Sequence, residues 1–111
     1  QSNLIALHTY GQYLHRLNIQ DFSEQKIWEA KEAILTSDAP EAGQSSGVFS
    51  DENKRYTWGL KKELMLALDD PRRPEKVTIF MIQLTITWQE GNRAMTVSRV
   101  TYVQKKVKKS G

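Results

Sequence analysis

The sequence predicts an α+β fold: a long N-terminal α-helix packed on a small antiparallel β-sheet of three to four strands. Three observations carry that expectation. The stretch from Leu4 to about Ser37 has no proline, a single glycine (Gly11) and apolar residues at helical spacing. From Arg55 onward the apolar period changes from about 3.6 to 2. Between the two lies a segment with Pro40, Gly43 and Gly47, rich in small residues, which marks a junction.

The helix pattern has two phases. Leu7, Tyr10, Leu14 and Leu17 make one stripe at 3-4-3 spacing, and Ile19, Phe22, Ile27, Ala30, Ala33 and Ile34 make a second. A stripe that shifts along its length meets different neighbours at its two ends. A continuous helix over 4–37 would span roughly 50 Å. A break near Asn18 to Asp21 is the rival, with Asp21 and Glu24 as a capping box. Asn and Asp cost only tenths of a kcal/mol inside a helix, which favours continuity. Pro40 ends the helix because it lacks an N–H and turns Ala39 away from helical angles.

Residues 38–47 read as a loop and 48–104 as the sheet. Val48-Phe49 forms a short edge strand, and Asp51 to Lys54 a polar turn. Tyr56, Trp58, Leu60, Leu64 and Leu66 share one face of the next strand, with a bend at Gly59. Asp69 to Pro74 holds two prolines and is a turn. Phe80, Ile82, Leu84, Ile86 and Trp88 then alternate with polar residues, the pattern of a central strand with one face against the helix. Glu90-Gly91-Asn92 closes a hairpin, and a return strand follows to about Gln104.

At 111 residues without cysteine, the chain is one domain with no disulfide framework and no thiol chemistry; neither export nor retention follows from that. No apolar run is long enough to span a membrane and no signal peptide is present. Gln1-Ser2-Asn3 has the look of a cleaved-tag remnant. The net charge of +3 is concentrated at one end: removing Lys105, Lys106, Lys108 and Lys109 from 16 basic residues leaves 12 against 13 acidic. Residues 105–111 therefore read as a solvated basic tail.

The residues offer no catalytic set. There is no glycine-rich phosphate loop, nucleophile elbow or paired His-Glu zinc motif. His8 and His15 lie two turns apart, and two ligands fall short of the four a structural metal site needs. Asp51/Glu52 and Asp69/Asp70 lack the alternating carboxylates of a calcium loop. No catalytic residue, cofactor, small-molecule substrate or metal is expected. Tyr56, Trp58, Phe80, Trp88 and Tyr102 fit a buried sheet face better than a base-stacking platform. A nucleic-acid-binding module using the basic tail and these aromatics is the reading from another class.

The order of motifs resembles the minor pseudopilins of bacterial type II secretion, most closely the I-type (the GspI family). It is carried by the N-terminal helix, Gly47 with Phe49, Tyr56-x-Trp58, Trp88-Gln89-Glu90-Gly91-Asn92-Arg93 and Thr101-Tyr102. The resemblance spans nearly the whole chain through short motifs. It implies a subunit that works by assembly: a periplasmic domain anchored in the inner membrane through an apolar helix half absent here, packing with J-type and K-type partners at the tip of a pseudopilus. A type IV pilus minor pilin shares the implied architecture. On this reading Leu7, Tyr10, Leu14 and Leu17 form the partner stripe. Phe22, Ile27 and Ile34 then dock on Phe80, Ile82, Leu84 and Ile86.

Overall fold

The computed structural model describes residues 18–50 and 54–109 with their side chains, and residues 2–17 and Asp51 by backbone only. One helix is followed by four strands: α1 (Ser2–Thr36), β1 (Gly43–Asp51), β2 (Lys54–Leu68), β3 (Glu75–Glu90) and β4 (Arg93–Lys108). The strands form one antiparallel sheet in the order β1-β2-β3-β4, each pairing with the next in sequence.

This corrects the expected fold class. Among the fully described residues the protein is 62% strand and 21% helix, so it is mostly antiparallel sheet, with the helix contributing only residues 18–36 to that part. The expectation of a long N-terminal helix dominating a small sheet fails because three of the strands run much longer than their core patterns. β2 has 15 residues and β3 and β4 have 16 each. Hairpin pairing satisfies backbone groups beyond the stretch that helix contact buries, so polar and lysine-rich flanks stay in the ladder.

Three boundaries move for that reason. Gly43 to Gly47, expected as loop, are strand, paired in register with Lys62 to Trp58. Lys105, Lys106 and Lys108, expected in a loose tail, lie opposite Thr78, Val77 and Glu75 in β4. The irregularity in β2 falls between Leu64 and Leu66 rather than at Gly59. Leu64 stays opposite Phe80, but Leu66 lies opposite Ile79 and so moves to the other face from Leu64. Through 18–21 the backbone remains helical, so Asp21 begins no new helix.

The core lies between α1 and one face of the sheet. Ile19, Ala30 and Ile34 from the helix meet Tyr56, Leu60, Phe80, Ile82, Leu84, Ile86, Trp88 and Val103, all buried, with Phe22, Ile27, Phe49 and Trp58 packed partly against them. Ser23 is buried among these residues because its hydroxyl donates to the Ile19 carbonyl at 2.8 Å, which satisfies the polar atom within the helix. Buried Thr78 donates to the Lys105 carbonyl at 3.0 Å.

Candidate partner-binding surfaces

The helix lies across the sheet on an aromatic row. Phe49, Tyr56 and Trp88 are cross-strand partners on β1, β2 and β3. Their ring centroids are 4.7 Å apart for Phe49–Tyr56 and 5.7 Å for Tyr56–Trp88, and Phe22 of α1 stacks on Phe49 at 3.9 Å. Stacked and tilted pairs of this kind add about 0.5–1.5 kcal/mol each beyond their buried area. The Trp88 indole N–H donates to Glu90 at 3.2 Å, and Lys54 reaches the same carboxylate oxygen at 3.3 Å.

Gly47 is fixed by the next row. A Cβ on Gly47 would lie 2.8 Å from the Trp58 indole ring, closer than carbon atoms approach. The absent side chain is what allows Trp58 to lie flat over β1, where the Lys26 ammonium sits 4.4 Å from its centroid. Gly91, with φ of 60°, takes the left-handed conformation that a tight hairpin needs at its first central position.

At the other end of the helix, the Lys105 ammonium donates to the Leu35 carbonyl, one of the orphan acceptors of the helix C-terminus. α1 thus starts its contact near the β1–β2 and β3–β4 hairpins and ends it over β4.

The remaining sequence candidates separate cleanly. The side chains of Leu7, Tyr10, Leu14 and Leu17, and of His8 and His15, lie outside the described residues. So do those of Asp51 and Glu52. Ile34, Phe80, Ile82, Leu84 and Ile86 are buried, while Phe22 and Ile27 are partly buried. Of the five aromatics weighed as a stacking platform, Tyr56, Phe80 and Trp88 are buried, Trp58 is covered by Lys26 and Phe22, and Tyr102 alone is exposed, on the opposite face. Asp69 pairs with Lys109 and Asp70 with Arg72, so these turn carboxylates hold the β2–β3 connection. Hydrogen bonds from the Arg72 backbone and side chain hold the Asp70 carboxyl below its ordinary range. Among the described residues, no group of three or more His, Cys, Asp or Glu is placed to hold a metal.

Two surfaces lacked a sequence signal of their own. One is the outward face of the sheet, where Thr85 and Ser98 hydroxyls meet at 3.1 Å and Thr87 and Thr96 at 3.4 Å. The other is a groove of about 410 Å³ between α1 and the outer edge of β4, lined by Glu24, Ile27, Trp28, Lys31, Arg99, Val100 and Thr101. Trp28 in that groove is 62% exposed. It lies off the stripe of Ile27, Ala30 and Ile34 that packs on the sheet.

No family model matches this chain, and neither a curated protein nor a solved structure matches it. Among the described residues, no helix is long and apolar enough to cross a membrane.

Proposed function

We propose that this chain is a minor pseudopilin subunit of a bacterial type II secretion system, non-enzymatic, acting by packing with related subunits at the tip of a periplasmic pseudopilus. The observation that carries the reading is the way separate motifs meet. Gly47 and Phe49, Tyr56-x-Trp58 and Trp88 through Arg93, distant in sequence, occupy adjoining rows and the turn at one end of the sheet. Each has a physical need for the other: Trp58 needs Gly47 beneath it, Tyr56 stacks between Phe49 and Trp88, and Trp88 donates to the residue that opens the Gly91 turn. Motifs tied together this way act as one structural feature of the chain.

The chemistry of assembly would come from the helix. Upstream of buried Ile19, the sequence sets Leu7, Tyr10, Leu14 and Leu17 in one stripe. Burying a large apolar side chain contributes about 1.5–3 kcal/mol, so four such contacts would supply a driving force for helix-to-helix association. The partners are J-type and K-type pseudopilins, and the domain sits in the periplasm, tethered to the inner membrane by a preceding apolar segment. A type IV pilus minor pilin would use the same contacts with a different set of neighbours. Of the aromatics that a nucleic-acid-binding module would use, Tyr56, Phe80 and Trp88 are core.

The test is co-purification and sedimentation of this chain with candidate J-type and K-type soluble domains. Association is expected, reduced at least tenfold by Leu14→Asp with Leu17→Asp while far-ultraviolet circular dichroism and the unfolding midpoint stay unchanged. Association of the folded double variant at wild-type strength would remove the stripe from the interface. No association of the unaltered chain with either class would remove the assignment.

A further inference from the structure

The outer edge of β4 is open, and its free backbone groups can be identified. Gly91 and Asn92 form a two-residue turn, so Glu90 and Arg93 are the hydrogen-bonded pair that closes the hairpin. Pairing continues without a register shift to Glu75 and Lys108, and the Lys109 N–H bonds the Pro74 carbonyl at 3.0 Å in the same phase. Odd-numbered residues of β4 therefore bond inward to β3. Thr96, Ser98, Val100 and Tyr102 present their N–H and C=O groups to the outside.

Three further features surround this edge. Residues 93–100 are all exposed, so nothing in the described chain covers it. The groove beside it contains half-buried Ile27 and exposed Trp28 and Val100, an apolar strip among charged neighbours. The charge is one-sided: β4 carries Arg93, Arg99, Lys105, Lys106 and Lys108 and no carboxylate, and Lys31 lies across the groove with Glu24 as its one acid.

We propose that β4 is a docking edge for an extended, acidic polypeptide strand from another protein, which adds to the sheet as a fifth strand with alternate side chains against Trp28 and Ile27. Backbone bonding would supply affinity, and the apolar strip and cations would supply choice. The charge argues against a second β4 as the occupant, because two copies side by side would bring together two sets of the same five cations. Lysines on an edge also discourage indiscriminate pairing, and here they cluster at 105–108, leaving 94–103 with Arg99 as its one charge. That stretch is the length of an ordinary strand. The inference stands on the edge and the groove alone and uses no part of the helix stripe, so it can fail or hold independently of the pseudopilin reading.

The experiment uses the whole chain and eight-residue probe peptides of alternating valine and aspartate, with asparagine and lysine counterparts. Amide hydrogen exchange and fluorescence anisotropy are read together. The aspartate peptide is expected to bind at least tenfold more tightly than the asparagine form and to protect the Thr96, Ser98, Val100 and Tyr102 amides at least tenfold. Trp28→Ala and Arg99→Glu should each weaken it about fivefold or more. Ser98→Pro, which removes an outward N–H, should abolish protection. If that variant does not fold, N-methylation of alternate peptide residues tests the same bond from the other side and should abolish binding. Protection elsewhere, equal binding of the lysine peptide, or full binding by the N-methylated peptide overturns the proposal. So does concentration-dependent protection of the same amides without peptide, which would make a second copy, through its β1 edge, the occupant.

Discussion

β3 and β4 have the same length, 16 residues, and pair along their whole extent, yet they differ in almost every physical respect. Every second residue of β3 from Thr78 to Trp88 is buried, while the first eight residues of β4 are exposed throughout. Composition does not account for this. Val97 lies on the helix side of the sheet opposite buried Ile86, and it remains 37% exposed. What differs is position: β3 has a strand on each side and α1 above it, whereas β4 has one strand beside it and helix contact mainly in its second half. Burial in this molecule follows from where a strand lies in the sheet, and the same valine contributes stability on one strand and surface on the other.

Substitutions can break that contrast. Ile82→Ala should have the largest effect, since the side chain has no exposure and its loss leaves a cavity between α1 and the sheet. A loss of about 2–5 kcal/mol is expected in denaturant unfolding. Gly47→Ala should follow at about 1–3 kcal/mol, because the new methyl meets the Trp58 ring and must displace it. Trp58 emission should shift in the same variant. On β4, Val97→Ala should cost less than about 1 kcal/mol, as a half-solvated valine leaves no closed cavity. A cost for Val97→Ala equal to that for Ile82→Ala would show that β4 is covered in solution.

The smallest effect belongs to the turn between β2 and β3. Asp70 is held below the ordinary carboxylate value of 3.8 by the Arg72 backbone N–H and guanidinium. A carboxyl whose folded value is depressed stabilises above its unfolded value and loses that contribution as pH falls through the folded one. Asp70→Asn should therefore lower stability slightly at neutral pH and flatten the decline of stability below about pH 4. Equal slopes for the two proteins in acid titration would remove this pair from the balance.

Much of the core was legible because alternation is a strong signal. Phe80, Ile82, Leu84 and Ile86 stand out in the sequence and are buried, with Ile34 opposite. The extent of the sheet was not legible. Gly43 to Gly47 and Lys105 to Lys108 carry loop and tail composition, and they become strand because a neighbouring strand offers their backbone partners. Leu66 shows a different limit. Its spacing from Leu64 places both on one face, and the irregularity between them sends Leu66 to the other. An extra residue in one strand is a property of the pairing, which no single strand's pattern contains. The edge and its groove were invisible for a similar reason, since an open edge is defined by the strand that is not there.

The meander order has a consequence for synthesis. Each strand pairs with the one just made, so the sheet can grow hairpin by hairpin as the chain emerges. The helix cannot complete its contacts in that way: the bond between Lys105 and Leu35 spans 70 residues. At roughly 5–20 residues per second, that separation is a wait of about 4–14 s. Ile34 stands exposed from the start of that interval, and the inner face of β3 joins it once synthesis passes Glu75. The ribosome-bound protein is thus an apolar helix and an apolar half-sheet awaiting one another, the period in which a chaperone has most to offer.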